Sequence, residues 1–325
     1  MSDAAVDTTG TAVVPVPIEA VELRRSFGAR VAVDGLSLRV AAGEIYGLVG
    51  PDGAGKTTTL RMLAGLLDPS SGSVRLVGRD PFGEDAAVRE TLGYMPQQYS
   101  LYGDLTVAEN LAFFREMYCI SRAAFRVRRE RLLAITRLTE FKDRRAEALS
   151  GGMYKKLALS CALLNEPRVL LLDEPTNGVD PVSRREFWDL LHDFLSEGMA
   201  IVLATPYMDE AARCHRAGLL FEGRLLEEGT PGEMLGAFQH PVFRVRGERV
   251  RVVAAVEKLP DVLAFTPAGA QVRVVVRQGS EPAVLALLAG LGAQTSPATA
   301  TFEDLFLTRL HERTAAKGPQ PARVS

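Results

Sequence analysis

The sequence predicts an α/β fold in which parallel strands form the core, a helical lobe is inserted, and a small α+β domain follows. Short apolar runs alternate with helical patterns through residues 19–235, as is typical of parallel strands joined by helices. Within that region, residues 87–165 keep a mainly helical pattern. Residues 241–313 then follow the order β-α-β-β-α-β and end in a further helix, which predicts a ferredoxin-like domain.

The elements of the first domain, residues 19–235, are predicted from apolar runs for strands and from a 3.6-residue period for helices. A helix that starts at Lys56 ends near Gly65 and Pro69, because both residues disfavour further helix. The predicted strands are Val21–Leu23, Leu36–Val40, Glu44–Gly50, Ser73–Val77, Val169–Leu172, Ala200–Ala204, and a hairpin of Gly218–Phe221 with Arg224–Glu227. The predicted helices are Lys56–Leu66, Val107–Tyr118, Ala123–Thr136, Met153–Leu164, Arg184–Glu197 and Met208–Arg213.

A turn-rich stretch, Glu228–Pro241, separates this domain from the second one, residues 241–313. The last helix, Phe302–Arg313, follows Thr301 and Asp304 in capping-box spacing. The other predicted elements are the strands Val242–Arg246, Val262–Thr266, Gln271–Arg277 and Gln294–Ala298 and the helices Arg249–Leu259 and Glu281–Leu291.

The composition argues against several classes of protein. A chain of 325 residues, 47% hydrophobic and 24% charged, is long enough for two domains with separate cores. The net charge of −2 does not favour nucleic acid as a partner. No apolar run reaches about 18 residues, so no bilayer-spanning helix is predicted. Residues 1–18 lack the pattern of a signal peptide, and they and residues 314–325 are expected to be disordered tails.

A glycine-rich loop follows a short buried strand and opens a helix. Glycines let backbone amides turn toward phosphate oxygens, and the start of the helix adds its positive end. Lys56 is expected to reach the terminal phosphates of a nucleotide, and Thr57 to offer a hydroxyl to Mg²⁺. A turn that only caps a helix would not require Lys-Thr at this offset. The residues of the loop are Gly50, Pro51, Asp52, Gly53, Ala54, Gly55, Lys56, Thr57 and Thr58.

Two carboxylates end the apolar strand Val169–Leu172. Asp173 is expected to bind the magnesium ion through water, and Glu174 is the candidate general base for the attacking water. A buried strand with a polar end would look the same in isolation. The phosphate-binding loop elsewhere in the chain favours the catalytic interpretation.

Two further features are open to two readings when taken alone. Leu149–Met153 is a second glycine turn before a helix, where Ser150 and the amides of Gly151 and Gly152 could grip a phosphate or could simply form an N-cap. Phe27 lies in a short loop, where it could stack on adenine or belong to the core.

In this order, the motifs at Gly50–Thr57, Gln97, Leu149–Met153, Asp173-Glu174 and Asp180 resemble those of ATP-binding cassette (ABC) ATPases. The resemblance covers about residues 20–233. It implies a P-loop NTPase cassette with an antiparallel β subdomain and an inserted helical subdomain, which binds ATP and Mg²⁺.

The resemblance also implies a role for each motif. Gly50–Thr57 corresponds to the Walker A loop, Gln97 to the Q-loop, and Asp180 to the D-loop. The position of Phe27 corresponds to an adenine-stacking aromatic. The implied catalytic residues are Glu174, Gln97 and Lys56, and the implied Mg²⁺ ligands are Thr57, Gln97 and Asp173. The implied nucleotide-binding residues are Phe27, Gly50 to Thr58, Ser150, Gly151, Gly152 and Asp180.

The turn Leu149–Met153 corresponds to the signature motif of the family. In ABC dimers, each ATP lies between the Walker A loop of one chain and the signature turn of the other. The resemblance therefore implies a second cassette as partner, expected to be a copy of this chain, with Ser150, Gly151 and Gly152 facing the ATP of its neighbour. Two positions depart from the family pattern. Met153 replaces a glutamine, and Pro206 stands where the family has a histidine that contacts the γ-phosphate. Proline has neither a donor nor a titrating nitrogen, so slow hydrolysis is expected.

The segments TPYMDEA at residues 205–211 and TFEDLFLTRL at residues 301–310, with the small domain, resemble ATPase subunits of ABC-2 type exporters, including drug-efflux and multidrug-type systems. This implies a separate ABC-2 type permease as partner, a membrane-fusion subunit as a further candidate, and a peripheral position on the cytoplasmic face of the inner membrane. Tyr99 and Tyr102 of the helical lobe are candidates for the docking surface of the permease, although an internal packing seam would have the same pattern.

Two alternatives remain at this point. The chain could be a cassette impaired in hydrolysis that clamps ATP and supports a more active partner. It could also be a soluble ABC switch in translation or DNA maintenance, although one cassette, a short interval between Walker A and signature, and near-neutral charge disfavour that class.

Overall fold

The structure is a computed structural model that describes residues 16–83, 85–98 and 101–317. These residues form two compact units. The first holds the described residues up to Pro206 together with Glu222–Leu225, and the second holds Tyr207–Phe221 and the described residues from Leu226 onward. The helices and strands are numbered in chain order.

Thirteen strands lie within the described residues. They are β1 Ile18–Phe27, β2 Arg30–Val40, β3 Ile45–Val49, β4 Ser71–Leu76, β5 Leu92–Met95, β6 Val169–Asp173, β7 Ala200–Thr205, β8 Arg216–Phe221, β9 Arg224–Gly229, β10 Val242–Arg246, β11 Val262–Ala268, β12 Gln271–Val276 and β13 Gln294–Ala298.

Eleven α-helices connect the strands of this described part of the chain. They are α1 Lys56–Leu63, α2 Ala86–Glu90, α3 Val107–Met117, α4 Arg122–Ile135, α5 Gly151–Leu163, α6 Pro181–Leu195, α7 Met208–Ala211, α8 Pro231–Gly236, α9 Arg249–Val256, α10 Glu281–Gly290 and α11 Phe302–Lys317.

The first unit contains parallel strands, as predicted. β5, β6, β7 and β3 pair side by side in parallel. Every residue of β3, β6 and β7 is buried, which is expected of central parallel strands that are covered on both faces. The carboxyl ends of these three strands lie at one edge of the sheet, where open α/β sheets place their ligands.

The same unit contains the predicted antiparallel subdomain and helical lobe. β2, β1 and β4 form a separate antiparallel sheet. Between β5 and β6, the described residues form α3, α4 and α5 and no named strand. Thr106 and Glu109 close a capping box at the start of α3, and Ser121 and Ser150 cap the other two helices.

The second unit contains the ferredoxin-like domain, which confirms that prediction. Its antiparallel sheet has the strand order β11-β12-β10-β13, with α9 and α10 as the two connecting helices. The core of this sheet is rich in valine, including Val245, Val252, Val272, Val274 and Val276.

The division into units falls earlier in the chain than the predicted boundary at residues 235–241, because 207–221 belongs to the second unit. Contacts inside that unit explain the difference. The Phe221 and Phe306 rings lie 6.2 Å apart, and Arg309 Nε donates to Glu227 Oε2 at 2.5 Å. These contacts join the segments before residue 230 to α11.

The ordered elements extend into the ends of both predicted tails, residues 1–18 and 314–325. Ile18 is fully buried at the start of β1, and α11 continues through the first four residues of the segment 314–325. Within this helix, the side-chain hydroxyl of Thr314 donates to the Leu310 carbonyl at 2.9 Å. The remainder of both segments lies outside the described residues. No helix in the described ranges is long and apolar enough to cross a bilayer.

Candidate active site

The phosphate-binding loop connects β3 to α1, and the positions of its glycines are constrained. Gly53 and Gly55 have φ values of 77° and 110°, a region that side chains rarely allow. A Cβ on Gly55 would lie 2.5 Å from the Ala32 carbonyl oxygen. Within the described chain no side chain caps the start of α1, so the positive end of this helix is available to an anion.

Lys56 is buried at the base of the loop. Its Nζ donates to the carbonyls of Gly50 at 2.8 Å and Pro51 at 3.1 Å. The same ammonium lies 3.6 Å from Glu174 Oε1 and 3.9 Å from Asp52 Oδ1. The first turn of α1 and the end of β6 therefore place one cation between the loop and the candidate base.

Asp173 ends β6 beside the loop, and its Oδ1 accepts a hydrogen bond from Thr57 Oγ1 at 3.1 Å. Burial raises the pKa of Asp173, and the nearby charge of Glu174 adds to the rise, while the Thr57 bond and the cations Lys56 and Arg61 oppose it. Burial disfavours the charged form of Asp173, and a cation would stabilise it. Such a cation could bind the Asp173 carboxylate and the neighbouring Thr57 hydroxyl together.

Glu174 is held by an amide on each side. Its Oε2 accepts from Gln97 Nε2 at 2.7 Å and from Asn177 Nδ2 at 3.1 Å. The residue itself has a φ of 47°, which is uncommon outside glycine and occurs often at functional sites. The side chain is only 5% exposed, so the carboxylate has a fixed position next to Lys56.

These groups face one cavity of about 450 Å³. It brings together Phe27, part of the predicted loop, Gln97 and Glu174, and it adds Arg30 and Ala32, which were not predicted. The predicted residues Gly50, Pro51, Ala54 and Asp173 are not among its lining residues. The only sign that Ala32 belongs to the site is the close approach of its carbonyl oxygen to Gly55, which a side chain at that position would block. The lining residues are Phe27, Arg30, Ala32, Asp52, Gly53, Gly55, Lys56, Thr57, Thr58, Gln97 and Glu174.

Phe27 is not a core residue, because its ring is 49% exposed at the edge of this cavity. The guanidinium of Arg25 lies 4.8 Å from the ring centroid. Its use as an adenine platform stays a prediction, and the exposure of the ring is compatible with it.

The second glycine turn has the local structure of a helix start. Ser150 is exposed and caps α5, with Met153 N donating to its Oγ at 3.4 Å. A Cβ on Gly152 would lie 2.5 Å from Ser183 at the start of α6. Asp180 caps α6, and hydrogen bonds from Ser183 and Val182 lower its pKa. Among the described residues, neither turn lines the nucleotide cavity.

Pro206, the predicted departure from the family pattern, lies directly after β7. Pro206 follows Thr205, and within the described part of the chain no histidine lines the cavity. His192 packs 6.3 Å from Trp188, and His240 accepts from Gln278 N at 3.3 Å, so these two rings have structural contacts.

Asp173→Asn is expected to raise the thermal stability of the nucleotide-free chain. The folded state raises the pKa of Asp173, so its charged form costs stability at pH values above that pKa, and the cost disappears as the pH falls through it. Asparagine keeps an acceptor for Thr57 without the charge. Thermal unfolding at neutral and at acidic pH measures the effect, with the exposed Asp143→Asn as control. A lower melting temperature for Asp173→Asn at both pH values would contradict this reading.

Comparisons with known proteins agree with this site. The family model described as ABC transporter matches residues 33–177. The chain is 42% identical over 293 residues to the probable multidrug ABC transporter ATP-binding protein YbhF of Escherichia coli K12, which covers 89% of this chain and 50% of that protein. The chain thus spans about half the length of this relative. It is 45% identical over 222 residues to Nod factor export ATP-binding protein I of Paraburkholderia xenovorans, covering 68% of this chain and 73% of that one.

Solved structures give the same result. CbiO1 from Clostridium perfringens, part of the ABC transporter complex cbiONQ, aligns with a TM-score of 0.63 and 26% identity, covering 76% of this chain and 96% of that chain. The bacterial ABC transporter cassette MJ0796 in its dimeric structure aligns with a TM-score of 0.60 and 25% identity, covering 66% and 98%. Sequence motifs, site geometry and relatives lead to one conclusion: the chain belongs to the family of nucleotide-binding ABC transporter ATPases.

Proposed function

We propose that this chain is the ATP-hydrolysing subunit of an ABC-2 type exporter and that it works as a dimer with two ATP molecules between its cassettes. The observation that carries the proposal is the Glu174 carboxylate, which Gln97 and Asn177 hold 3.6 Å from the Lys56 ammonium at a cavity lined by the phosphate-binding loop. The name of one relative, Nod factor export ATP-binding protein I, supports the direction of transport.

The loop binds the triphosphate of ATP in this proposal. Backbone amides and the start of α1 face the phosphates, Lys56 neutralises the terminal oxygens, and Phe27 stacks on the base. Thr57 and Asp173 fit Mg²⁺, because they place a hydroxyl and a carboxylate 3.1 Å apart and this ion takes few protein ligands beside phosphate oxygens. The Gln97 amide, whose nitrogen bonds Glu174, leaves its oxygen for the same ion. Bound Mg²⁺ would supply charge neutralisation on the β- and γ-phosphates.

Glu174 acts as the general base. Its Oε2 is occupied by two amide donors, so Oε1 is the oxygen that accepts a proton from water as that water attacks the γ-phosphorus. Lys56 stabilises negative charge that develops on the phosphoryl oxygens. The P–O bond to ADP breaks, and the proton held by Glu174 passes to inorganic phosphate or solvent.

A second cassette completes each site. Ser150, Gly151 and Gly152 form an exposed helix start outside the cavity of their own chain, which is the arrangement expected of groups that grip the γ-phosphate bound by a neighbour. Asp180, at the start of α6 beside this turn, joins the same interface. Two ATP molecules hold the cassettes together, and hydrolysis releases them.

The helical lobe offers a docking surface for the permease. The rings of Tyr102 and Phe113 lie 4.6 Å apart, and Tyr102, Phe113 and Met117 are 49%, 39% and 52% exposed. Exposed aromatic and methionine side chains are enriched in protein interfaces. Tyr99, the other residue predicted for this surface, lies outside the described residues. In this proposal the chain sits on the cytoplasmic face of the membrane that contains the permease. A membrane-fusion subunit would attach to the permease.

Phe113→Ser with Met117→Ser is expected to lower the fraction of the chain that co-purifies with its permease from native membranes, while ATP hydrolysis by the isolated chain is kept. The double change removes apolar contact area and leaves the nucleotide cavity untouched. Val127→Ser, also exposed in the lobe at 64%, is the matched control. Equal recovery of the permease with all three chains would refute the docking surface.

Pro206 favours a second candidate, a cassette that clamps ATP with little hydrolysis of its own. Turnover by the isolated chain and by the chain with its permease separates the two functions. A rate that stays at the level of the Glu174→Gln variant in both preparations would replace the ATPase proposal by the clamp.

A further inference from the structure

Lys155 contacts both Gln97 and Glu174, two of the proposed catalytic residues. It lies five residues after Ser150 on α5 and is half-buried. Its Nζ donates to the main-chain carbonyl of Gln97 at 3.3 Å and approaches the carbonyl of Glu174 at 3.5 Å. Neither the phosphate-binding loop nor the cavity lining includes Lys155, so it acts on the site through these two carbonyls and through its charge.

The environment of this ammonium is unusual for a lysine on a helix surface. Burial lowers the pKa of Lys155, while the charges of Glu174 and Asp173 act in the opposite direction. The next residue, Lys156, pairs instead with Glu186. Adjacent lysines on α5 thus face two different groups, and only the first reaches the active site.

The contact with Glu174 falls on a backbone in a rare conformation. A left-handed φ is unfavourable for a residue other than glycine, so surrounding contacts must hold it. The N–H of Glu174 donates to the Ala204 carbonyl at 2.9 Å, and its carbonyl accepts from Asn177 N at 3.2 Å as well as facing Lys155. Since the direction of a side chain follows its backbone, these contacts help to place the carboxylate.

We propose that Lys155 is a positioning residue through which α5 couples the two ATP sites of the dimer. The inference rests on the proposed function, in which Ser150 at the start of α5 grips the ATP of the neighbour. Lys155, on the same helix, contacts the Q-loop and Glu174 of its own site. A movement of α5 when the neighbour's ATP is gripped therefore shifts Gln97 and Glu174 together, and catalysis in one site depends on occupancy of the other.

Lys155→Met tests this role in the full-length chain. Misplacement of a catalytic group by a fraction of an ångström lowers kcat by about 10–100-fold. The KM for ATP stays within about twofold, because Lys56 and the loop are unchanged, and the Hill coefficient for ATP falls toward 1. Lys155→Arg, which keeps a cation and its donors, restores part of kcat. The exposed Lys142→Met is the control for loss of a lysine.

A double-mutant cycle separates positioning from a general structural effect. If Lys155 acts through Glu174, then Lys155→Met with Glu174→Gln hydrolyses ATP no more slowly than Glu174→Gln alone. Fully additive losses, an unchanged kcat and Hill coefficient in Lys155→Met, or an equal loss of ATP affinity would each overturn the inference. Failure of the proposed function itself is recognised separately, because the wild-type chain would then hydrolyse no faster than Glu174→Gln.

Discussion

Glu174→Gln is expected to lower the rate of ATP hydrolysis by about 10²–10⁴-fold, which is the usual contribution of a general base. Glutamine has the same shape and still offers an oxygen to the amides of Gln97 and Asn177, so the local structure is kept. It cannot accept a proton from water. Steady-state phosphate release with Mg-ATP measures the loss, and ATP binding is expected to stay within about threefold of wild type, because the loop contacts are unchanged.

The same variant is expected to accumulate as an ATP-bound dimer, because the bound nucleotide persists. Size-exclusion chromatography with and without Mg-ATP detects this state. Glu130→Gln, an exposed carboxylate on α4, is the control. A Glu174→Gln chain with wild-type turnover would remove the general base from the account, and a chain that stays monomeric with Mg-ATP would count against the dimer.

Lys56→Ala is the second change with a large expected effect, because it lowers both ATP affinity and hydrolysis. The buried ammonium bonds the carbonyls of Gly50 and Pro51 and lies near Glu174, so its removal leaves a buried carboxylate without its nearest cation. Charge-assisted hydrogen bonds to phosphate are also lost, so the affinity for ATP falls by about 10–100-fold. Hydrolysis falls by a further 10²–10³-fold, roughly the cost of removing one electrostatic stabiliser of the transition state.

Lys56→Arg distinguishes shape from charge at this position. The side chain of Lys56 is only 4% exposed, and a planar guanidinium does not fit a site built for a compact ammonium, so arginine is expected to rescue little. Titration with a fluorescent ATP analogue and phosphate release measure the two effects. Near-normal hydrolysis by either variant would contradict the role of Lys56, and the exposed Lys142→Ala is the control.

Most of the chemistry of the site could be predicted from the sequence, because the motifs combine residue type with spacing. Lys56 and Thr57 follow the last glycine of a loop, and Asp173 and Glu174 end an apolar strand. Parallel strands bring such segments to one sheet edge whatever their distance along the chain. The structure joins them at Thr57 and Asp173, with 3.1 Å between their oxygens.

Of the residues that contact Glu174, Gln97 was predicted, but Asn177 and Lys155 were not, because no local pattern distinguishes them. Asn177 donates to the carboxylate of Glu174, a residue whose backbone has a left-handed φ. Lys155 lies in a helix with no distinguishing sequence context. A backbone torsion and a contact between distant segments are properties of the folded chain, and they have no counterpart in spacing or composition.

The compact units divide the chain earlier than the predicted domain boundary. A turn-rich stretch suggested a division near residue 235, but contacts such as Phe221 with Phe306 assign the earlier segment to the second unit. The ferredoxin-like order of strands and helices was predictable, because each element there has a clear period and length.

A crosslink between two chains that each carry one exposed cysteine, beside the buried Cys161 and Cys214, tests the central proposal, that ATP bound by Lys56 of one cassette is completed by Ser150 of another. Both chains carry Glu174→Gln and Cys119→Ser, since Cys119 is the exposed one of the three cysteines. One chain also carries Asp52→Cys, four residues before Lys56, and the other carries Ser150→Cys; both positions are exposed. With a short bis-maleimide, the mixture is expected to give crosslinks between the two kinds of chain only when Mg-ATP is present. Their absence in an ATP-loaded mixture, or an equal yield without nucleotide, would contradict the shared site.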